Sequence, residues 1–157
     1  RFRLVVRRDT EWKRVQRYYE RVQKIRRKGF SKKALAYEID DLISYFLHSY
    51  HLQDWIRNSN TKLSPQLEQL FKNFEMQCCR DIANGFKHKI ISKPSVDPDF
   101  NLFREYDPLE KNEEHIKYYL AFEDVTSKKV KKYEIFDLID KIHSFWKGFI
   151  KTNLVWP

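Results

Sequence analysis

Apolar residues recur at helical spacing in several stretches of the chain, and these stretches predict its main elements. The first begins at Asp9 or Thr10, either of which can act as an N-cap, and ends at Gly29, where a left-handed C-cap is expected. Its apolar stripe consists of Trp12, Val15, Tyr19 and Val22. Because residues three and four apart share one side of a helix, this stretch predicts an amphipathic helix.

A second helix is predicted to begin with Ser31 as its cap. From about Leu42 this helix is apolar nearly all round, which is typical of a helix packed between neighbours. A third helix is expected from the Ser64-Pro65 pair to about Lys89, because Pro is favoured in the first turn of a helix.

The remainder of the chain predicts strands and a last helix. Residues 92–114 are rich in Pro and Asp and indicate loop, with a short strand over 100–106. Alternating apolar residues from Ile116 to Phe122 predict a strand, and Val130 to Tyr133 a return strand. The fold class is therefore mainly α (α+β): an antiparallel bundle of about four helices, with a small antiparallel β-hairpin or sheet inserted before the last helix.

One domain is expected over residues 1–157, because the chain is of single-domain length and contains no repeat. We divide it into a basic N-terminal arm and helix (1–33), a central helical hairpin (34–91), a loop and β-hairpin (92–132) and a C-terminal helix (133–157). The arm begins with "FRLVV" (residues 2–6), which predicts a short strand or an ordered segment.

Positive charge is concentrated at the beginning of the chain. The net charge is +9, yet residues 1–33 alone hold 14 Lys and Arg against three acids. The predicted first helix carries a cationic stripe opposite its apolar one: Arg14, Arg17, Arg21, Lys24 and Lys28. Such a stripe is typical of a surface that binds nucleic-acid phosphates or an acidic partner, and also of a solvated helix face.

Several classes of protein lack support in the sequence. There is no phosphate-binding GxxxxGK[ST] loop, no GxGxxG, no paired CxxC, no HExxH and no GxSxG. From the absence of these motifs we expect no metal or cofactor. The adjacent Cys78 and Cys79 cannot staple distant segments, and no apolar run reaches membrane-spanning length, so we expect a cytoplasmic protein.

Candidate chemistry lies in "CCRDIANGFKHK" (residues 78–89) of the predicted third helix. Arg80, Asp81, Asn84 and His88 fall within about 100° of one another on a helical wheel. Imidazole transfers protons near neutral pH, and guanidinium stabilises negative charge on a phosphate. Asn84 is one turn from His88, and Asp81 adjoins Arg80. These residues predict either a catalytic site or an internal polar network that holds two helices in register.

"YHLQDWI" followed by "CRDIANGFKH" resembles the HEPN superfamily of small prokaryotic helical proteins. The resemblance implies a helical bundle and metal-independent endoribonuclease activity in a toxin–antitoxin or phage-defence system, with two motifs meeting in a homodimer. Arg80 would then bind phosphate, Asp81 would be the adjacent polar residue and His88 the catalytic imidazole. Seven residues separate Arg80 from His88, one more than the family pattern, and a bend at Gly85 would let them converge.

His48, His51 and Asp54 share one broad side of the second helix. They predict interhelical hydrogen bonding or, less specifically, a divalent-metal site. His51 and Asp54 are also placed to support Arg80 and Asn84 from the facing helix.

Two functional hypotheses follow. The first is an RNA-cleaving effector of the HEPN type, with an antitoxin or other protein as partner. The alternative is a non-catalytic binding or assembly module whose basic N-terminal segment contacts nucleic acid or an acidic protein.

Overall fold

The computed structural model of the chain describes residues 9–87, 101–105, 117–123, 128–153 and 155–156. Within this part the elements are α1 (Thr10–Lys28), α2 (Leu35–Ser59), a 3-10 turn (Thr61–Leu63), α3 (Ser64–Leu70), α4 (Phe74–Lys87), β1 (Asn101–Glu105), β2 (Lys117–Glu123), β3 (Val130–Glu134) and α5 (Ile135–Thr152). The predicted fold class, mainly α with a small antiparallel sheet before the last helix, is confirmed. The segment 2–6, for which a strand was expected, lies outside the described residues.

Helix α1 ends before Gly29, as its sequence predicts, but the ψ of Gly29 is 164°, so the left-handed helical cap expected there is not formed. Gly29 has φ 80°, a backbone conformation that glycine adopts without a steric penalty, and its N–H donates to the Ile25 carbonyl at 2.8 Å. At the other end, the Asp9 carbonyl accepts the N–H of Lys13, but the Asp9 side chain does not cap the helix.

The predicted start of α2 at Ser31 is wrong, because the helix begins at Leu35. The Ser31 N–H instead donates to the buried Glu38 carboxylate, with a distance of 3.0 Å to Oε2. Glu38 therefore reaches back over the intervening turn and fixes the α1–α2 connection.

The single third helix predicted from Ser64 is two helices, α3 and α4. The chain turns at residues 71–73, where the Asn73 amide donates to the Leu70 carbonyl at 2.8 Å. The Asn73 carbonyl then accepts the N–H of Gln77 and begins α4. The Asn73 side chain thus hydrogen-bonds a carbonyl group that is free at the end of α3. The helix breaks there although the apolar periodicity of the sequence continues across the break. Helix α4 in turn passes through Gly85 to Lys87.

Helix α2 contacts two neighbouring helices, as predicted, but its buried residues share one side instead of surrounding it. It packs against α1 and α4, and Tyr45, Leu52 and Ile56, which have no exposed surface, lie within about 40° of one another on a helical wheel. The core therefore lies along this side of α2, with α5 contributing Ile139, Ile142 and Trp146, all fully buried.

The three strands form an antiparallel sheet in the order β1-β2-β3. Leu102 pairs with Leu120, and Leu120 pairs with Tyr133 on the other side. Glu134 ends β3 and caps α5, since its carboxylate accepts the N–H groups of Phe136 and Asp137 at 3.2 and 2.9 Å. The sheet is joined to the helices by contacts of β2 and β3 with α5 and by the Phe74 ring, which stacks on Tyr133.

Candidate nucleic-acid interface

Helix α1 presents two different faces. On the inner face Val15, Val22 and Ile25 are buried against the bundle. On the outer face Arg17 and Lys24 are exposed. The predicted division into an apolar and a cationic stripe is therefore confirmed.

The outer face forms an open groove, which we call the cationic groove. Its volume is about 540 Å³, and its lining residues are Arg14, Arg17, Tyr18, Glu20, Arg21, Lys24 and Arg27. Four of the five residues of the predicted stripe are in this set. Arg27 joins them, whereas Lys28 is exposed one turn beyond Lys24 and does not line the groove. With five cations and one acid, the groove favours polyanions.

The cations of this face divide into two kinds. Arg14 NH1 lies 2.7 Å from Glu11 Oε2, and Arg21 NH2 lies 2.8 Å from Asp41 Oδ1. The others form no ion pair with any residue in the described part of the chain: Arg17, Lys24, Arg27 and Lys28. The neutralised pair lies towards α2, and the remaining cations face solvent, where an external anion can reach them.

His48 of α2 supports the groove from beneath. Its Nδ1 lies 2.7 Å from Glu11 Oε1, and its ring stacks on Tyr18 with centroids 5.2 Å apart and planes inclined by 11°. The Arg21 guanidinium carbon is in turn 5.7 Å from the centroid of the Tyr18 ring. The sequence suggested His48 as a hydrogen-bonding or metal-binding residue, and the structure gives it a carboxylate partner on α1.

The other two polar residues predicted on that side of α2 remain on its surface. His51 Nδ1 and Asp54 Oδ2 are 3.8 Å apart, and Asp54 also faces Arg57 at 3.7 Å. Neither hydrogen-bonds to nor forms an ion pair with Arg80 or Asn84. Among the described residues, no three His, Cys, Asp or Glu side chains are arranged to hold a metal ion.

The predicted catalytic residues of α4 differ sharply in exposure. Arg80 is exposed, whereas the adjacent Asp81 has 0% of its surface accessible and Asn84 is half-buried. His88 lies outside the described residues. Arg80 can therefore contact a phosphate from solution, and Asp81 belongs to the interior of the bundle. The separation of the two follows from the 100° turn between consecutive helical residues.

A polar and aromatic cluster between α1 and α5 has no counterpart in the sequence predictions. The His143 ring stacks on Tyr19 at 3.7 Å with planes inclined by 2°, and Trp12 stacks on it at 5.2 Å. His143 Nδ1 is hydrogen-bonded to the Tyr45 hydroxyl at 3.0 Å. The position of His143 in the sequence could have indicated its burial, because it is one turn beyond Ile139 on the apolar stripe of α5.

Asp140 completes this cluster by accepting three hydrogen bonds from α1. Tyr19 Oη donates to Oδ1 at 2.9 Å, Gln23 Nε2 to the same oxygen at 2.8 Å, and Arg26 NH1 to Oδ2 at 2.5 Å. Arg26 also donates to Asp137 at 2.8 Å. Arg26 thus attaches α1 to α5 rather than extending the cationic groove.

Burial sets the protonation of this cluster. It lowers the pKa of His143 to about 4, with a further lowering from Lys147 and a partial offset from Asp140. Burial, assisted by the hydrogen bond to Asp140, raises the pKa of Tyr19 to about 12. The cluster is consequently neutral at His143 and Tyr19 near pH 7, as a packing interface requires.

The two cysteines are part of the core. Cys78 and Cys79 are fully buried, and Cys79 Sγ donates to the Phe46 carbonyl at 3.6 Å. Burial raises the pKa of Cys79 far above its usual range, which disfavours the thiolate that a nucleophile requires.

None of the described helices is both long and apolar enough to cross a membrane. Comparison with known proteins gives no relative: no family model, no curated protein and no solved structure matches the chain.

Proposed function

We propose that the protein binds nucleic acid, RNA first among the candidates, through the cationic groove of α1. The observation that carries this proposal is the row of exposed cations without an ion pair among the described residues. A cation that already has a carboxylate partner gains little from a phosphate, whereas an unpaired one releases counterions from the polymer when it binds.

The dimensions of the face favour an extended ligand. Arg14 to Lys28 spans about 21 Å along the helix axis at the usual rise per residue. A row of this length holds several phosphates of one backbone, whereas a single small anion would use only part of it. Because the groove is open and its polar groups are mainly cationic, it binds the backbone and does not read base edges.

The test is an affinity measurement with a fluorescently labelled 12-nucleotide single-stranded RNA, over a series of salt concentrations. Replacing Arg17, Lys24 and Arg27 together by Gln is expected to weaken binding at least tenfold at low salt. The slope of log K against log salt should also become shallower by about 2, which corresponds to three lost phosphate contacts on a single strand.

A matched control changes the same net charge elsewhere. Lys62, Lys72 and Lys151 are exposed and lie outside α1. Their joint replacement by Gln should change affinity less than twofold. Equal weakening by the two triple variants would show that only overall charge matters, and would exclude the groove as the binding site.

RNA cleavage is a second candidate function, favoured by the exposed guanidinium of Arg80 on α4 and by the resemblance to HEPN proteins. In this proposal Arg80 stabilises charge on the phosphate, while His88 moves the proton of a ribose 2′-hydroxyl, with Asn84 orienting its ring. Two such sites would meet in a homodimer, and an antitoxin or other partner protein would control the activity.

Cleavage is tested by incubating the protein with RNA in the presence of EDTA. Cuts should appear with the wild type and vanish with Arg80→Ala and with His88→Ala. Since Arg80 is exposed, its replacement should leave the melting temperature within about 1 °C, as surface changes usually do. Cleavage that persists in both variants would exclude these residues as the catalytic pair, and RNA binding by the groove would stand independently.

A further inference from the structure

Glu11 is a buried acid whose carboxylate contacts two basic side chains. It is 2% exposed, and its oxygens are divided between Arg14 NH1 and His48 Nδ1, each at 2.7 Å. A buried carboxylate is strongly destabilising unless it is paired. The negative charge of Glu11 must therefore be compensated by Arg14, by His48 or by both. The less of this charge His48 compensates, the more firmly Arg14 is held on Glu11.

Arg14 is also a lining residue of the cationic groove, so its pairing with Glu11 affects the groove directly. Its side chain is 39% exposed, which leaves the guanidinium within reach of an external phosphate. Tyr18 connects His48 to the same groove, because its ring contacts both the His48 imidazole and the Arg21 guanidinium.

We infer that His48 is a positioning residue that regulates the anion affinity of the cationic groove through Glu11 and Arg14. When the imidazole is protonated, it balances the charge of Glu11, and Arg14 becomes available to the phosphate backbone. When the imidazole is neutral, Arg14 is the only full positive charge on Glu11 among the described residues and is retained there. This inference rests on the proposed nucleic-acid binding and adds its regulation by pH.

The surroundings of His48 suit this role. Glu11 and Tyr18 of α1 contact it, and Arg14 and Arg21 of α1 contact those two residues in turn. On its own helix, Asp41 and His51 are titratable groups within two turns of it. Its side chain is 28% exposed, so protons exchange with solvent without unfolding. Imidazole is the side chain whose ordinary titration falls between pH 5 and 8.

The experiment measures the affinity of the full chain for the labelled 12-nucleotide RNA at pH 5.5 and pH 8.0, at constant ionic strength. The wild type should bind about five- to tenfold more tightly at pH 5.5. His48→Asn retains a side-chain donor for Glu11 without titrating, and His48→Phe retains the ring on Tyr18 without a donor. Both variants should lose the pH dependence.

Two further variants separate this mechanism from other causes. Arg14→Gln should also abolish the pH dependence with His48 intact, because the released cation is then missing. His51→Asn is the matched control, one turn along the same helix, and should retain it. A structural role of His48 alone would instead weaken binding equally at both pH values.

The outcomes distinguish this inference from the proposed function. If His48→Asn, His48→Phe or Arg14→Gln binds with the wild-type pH dependence, the regulatory role of His48 is excluded while groove binding stands. If the triple variant of Arg17, Lys24 and Arg27 binds RNA as tightly as the wild type, groove binding itself is wrong. Loss of pH dependence in all three variants, with retention in His51→Asn, establishes the role.

Discussion

Two histidines contact α1 from the bundle, and they do so in opposite circumstances. His143 of α5 is 5% exposed and stacks on Tyr19, with its Nδ1 hydrogen-bonded to Tyr45. His48 of α2 is 28% exposed and stacks on the neighbouring Tyr18, with its Nδ1 on Glu11. The same pairing of imidazole with tyrosine therefore closes the core on one side of α1 and supports the cationic groove on the other.

The difference between them arises from the partner and from the solvent. His143 is surrounded by aromatic rings and a hydroxyl, which favour a neutral ring. His48 is joined to a carboxylate and reaches solvent. Because Tyr18 and Tyr19 are consecutive, the 100° turn of the helix directs one towards the groove and the other towards α5. The comparison indicates that α1 is attached to α5 through the His143 side, whereas the His48 side is where we propose that its anion affinity is regulated.

The largest expected effect is the loss of stability when the imidazole of His143 is removed, compared with removal of the imidazole of His48. His143→Ala should lower the free energy of unfolding by about 3 kcal/mol, because it leaves a cavity and an unpaired buried Tyr45 hydroxyl. His48→Ala, at a position that is 28% exposed, should cost about 1 kcal/mol, because Arg14 still pairs with Glu11. Urea denaturation measures both. Equal losses would contradict the assignment of His143 alone to the core.

The pH dependence of stability sharpens the comparison further. The folded-state pKa of His143, about 4, lies below the value of about 6.5 for an unfolded histidine. The unfolded chain therefore binds an additional proton between these values, and stability falls as the pH drops from 6.5 towards 4. The contribution is fully present above pH 6.5 and amounts to at most about 3 kcal/mol.

This linkage is measured by urea denaturation from pH 4.5 to 7.5. His143→Gln should be less stable at pH 7 and should show a shallower decline on acidification. A decline as steep as that of the wild type would assign the acid sensitivity to other groups.

The acids that attach α1 to α5 and to α2 give the next contrast. Asp140→Asn keeps the shape of the side chain but removes the charge that Arg26 contacts. It should cost about 1.5 kcal/mol, the lower end of the range for hydrogen bonds to a charged group, because both side chains are partly exposed. Thermal unfolding should show a decrease of a few degrees. An unchanged melting temperature would mean that apolar packing alone attaches α1 to α5.

The smallest effect is expected at the exposed ion pair of Arg21 with Asp41. The Arg21 side chain is 62% exposed, so Asp41→Asn should change stability by less than 1 kcal/mol. The same change frees Arg21 for phosphate and should strengthen RNA binding about twofold at low salt. Fluorescence anisotropy measures this change in affinity. Weaker binding by Asp41→Asn would show that Asp41 holds Arg21 in the position from which it contacts RNA.

The sequence alone determined the type and order of most elements, because these follow from local properties, although it predicted one helix where α3 and α4 are two. Apolar spacing specified α1, α2 and α5, alternation specified β2, and the end of α1 followed from the conformational freedom of Gly29. The opposite placement of cationic and apolar residues on α1 was equally readable, since it depends only on the helical repeat.

Only the tertiary structure decided which polar groups meet. Glu11 and His48 are 37 residues apart in the sequence, and His143 and Tyr45 are 98 apart, so no local pattern predicts their contacts. The break at Asn73 and the burial of Asp81 beside an exposed Arg80 also depend on packing against α2 and α5. Sequence periodicity assigns a residue to a side of its helix, but the neighbouring helix determines whether that side meets solvent, a carboxylate or an aromatic ring.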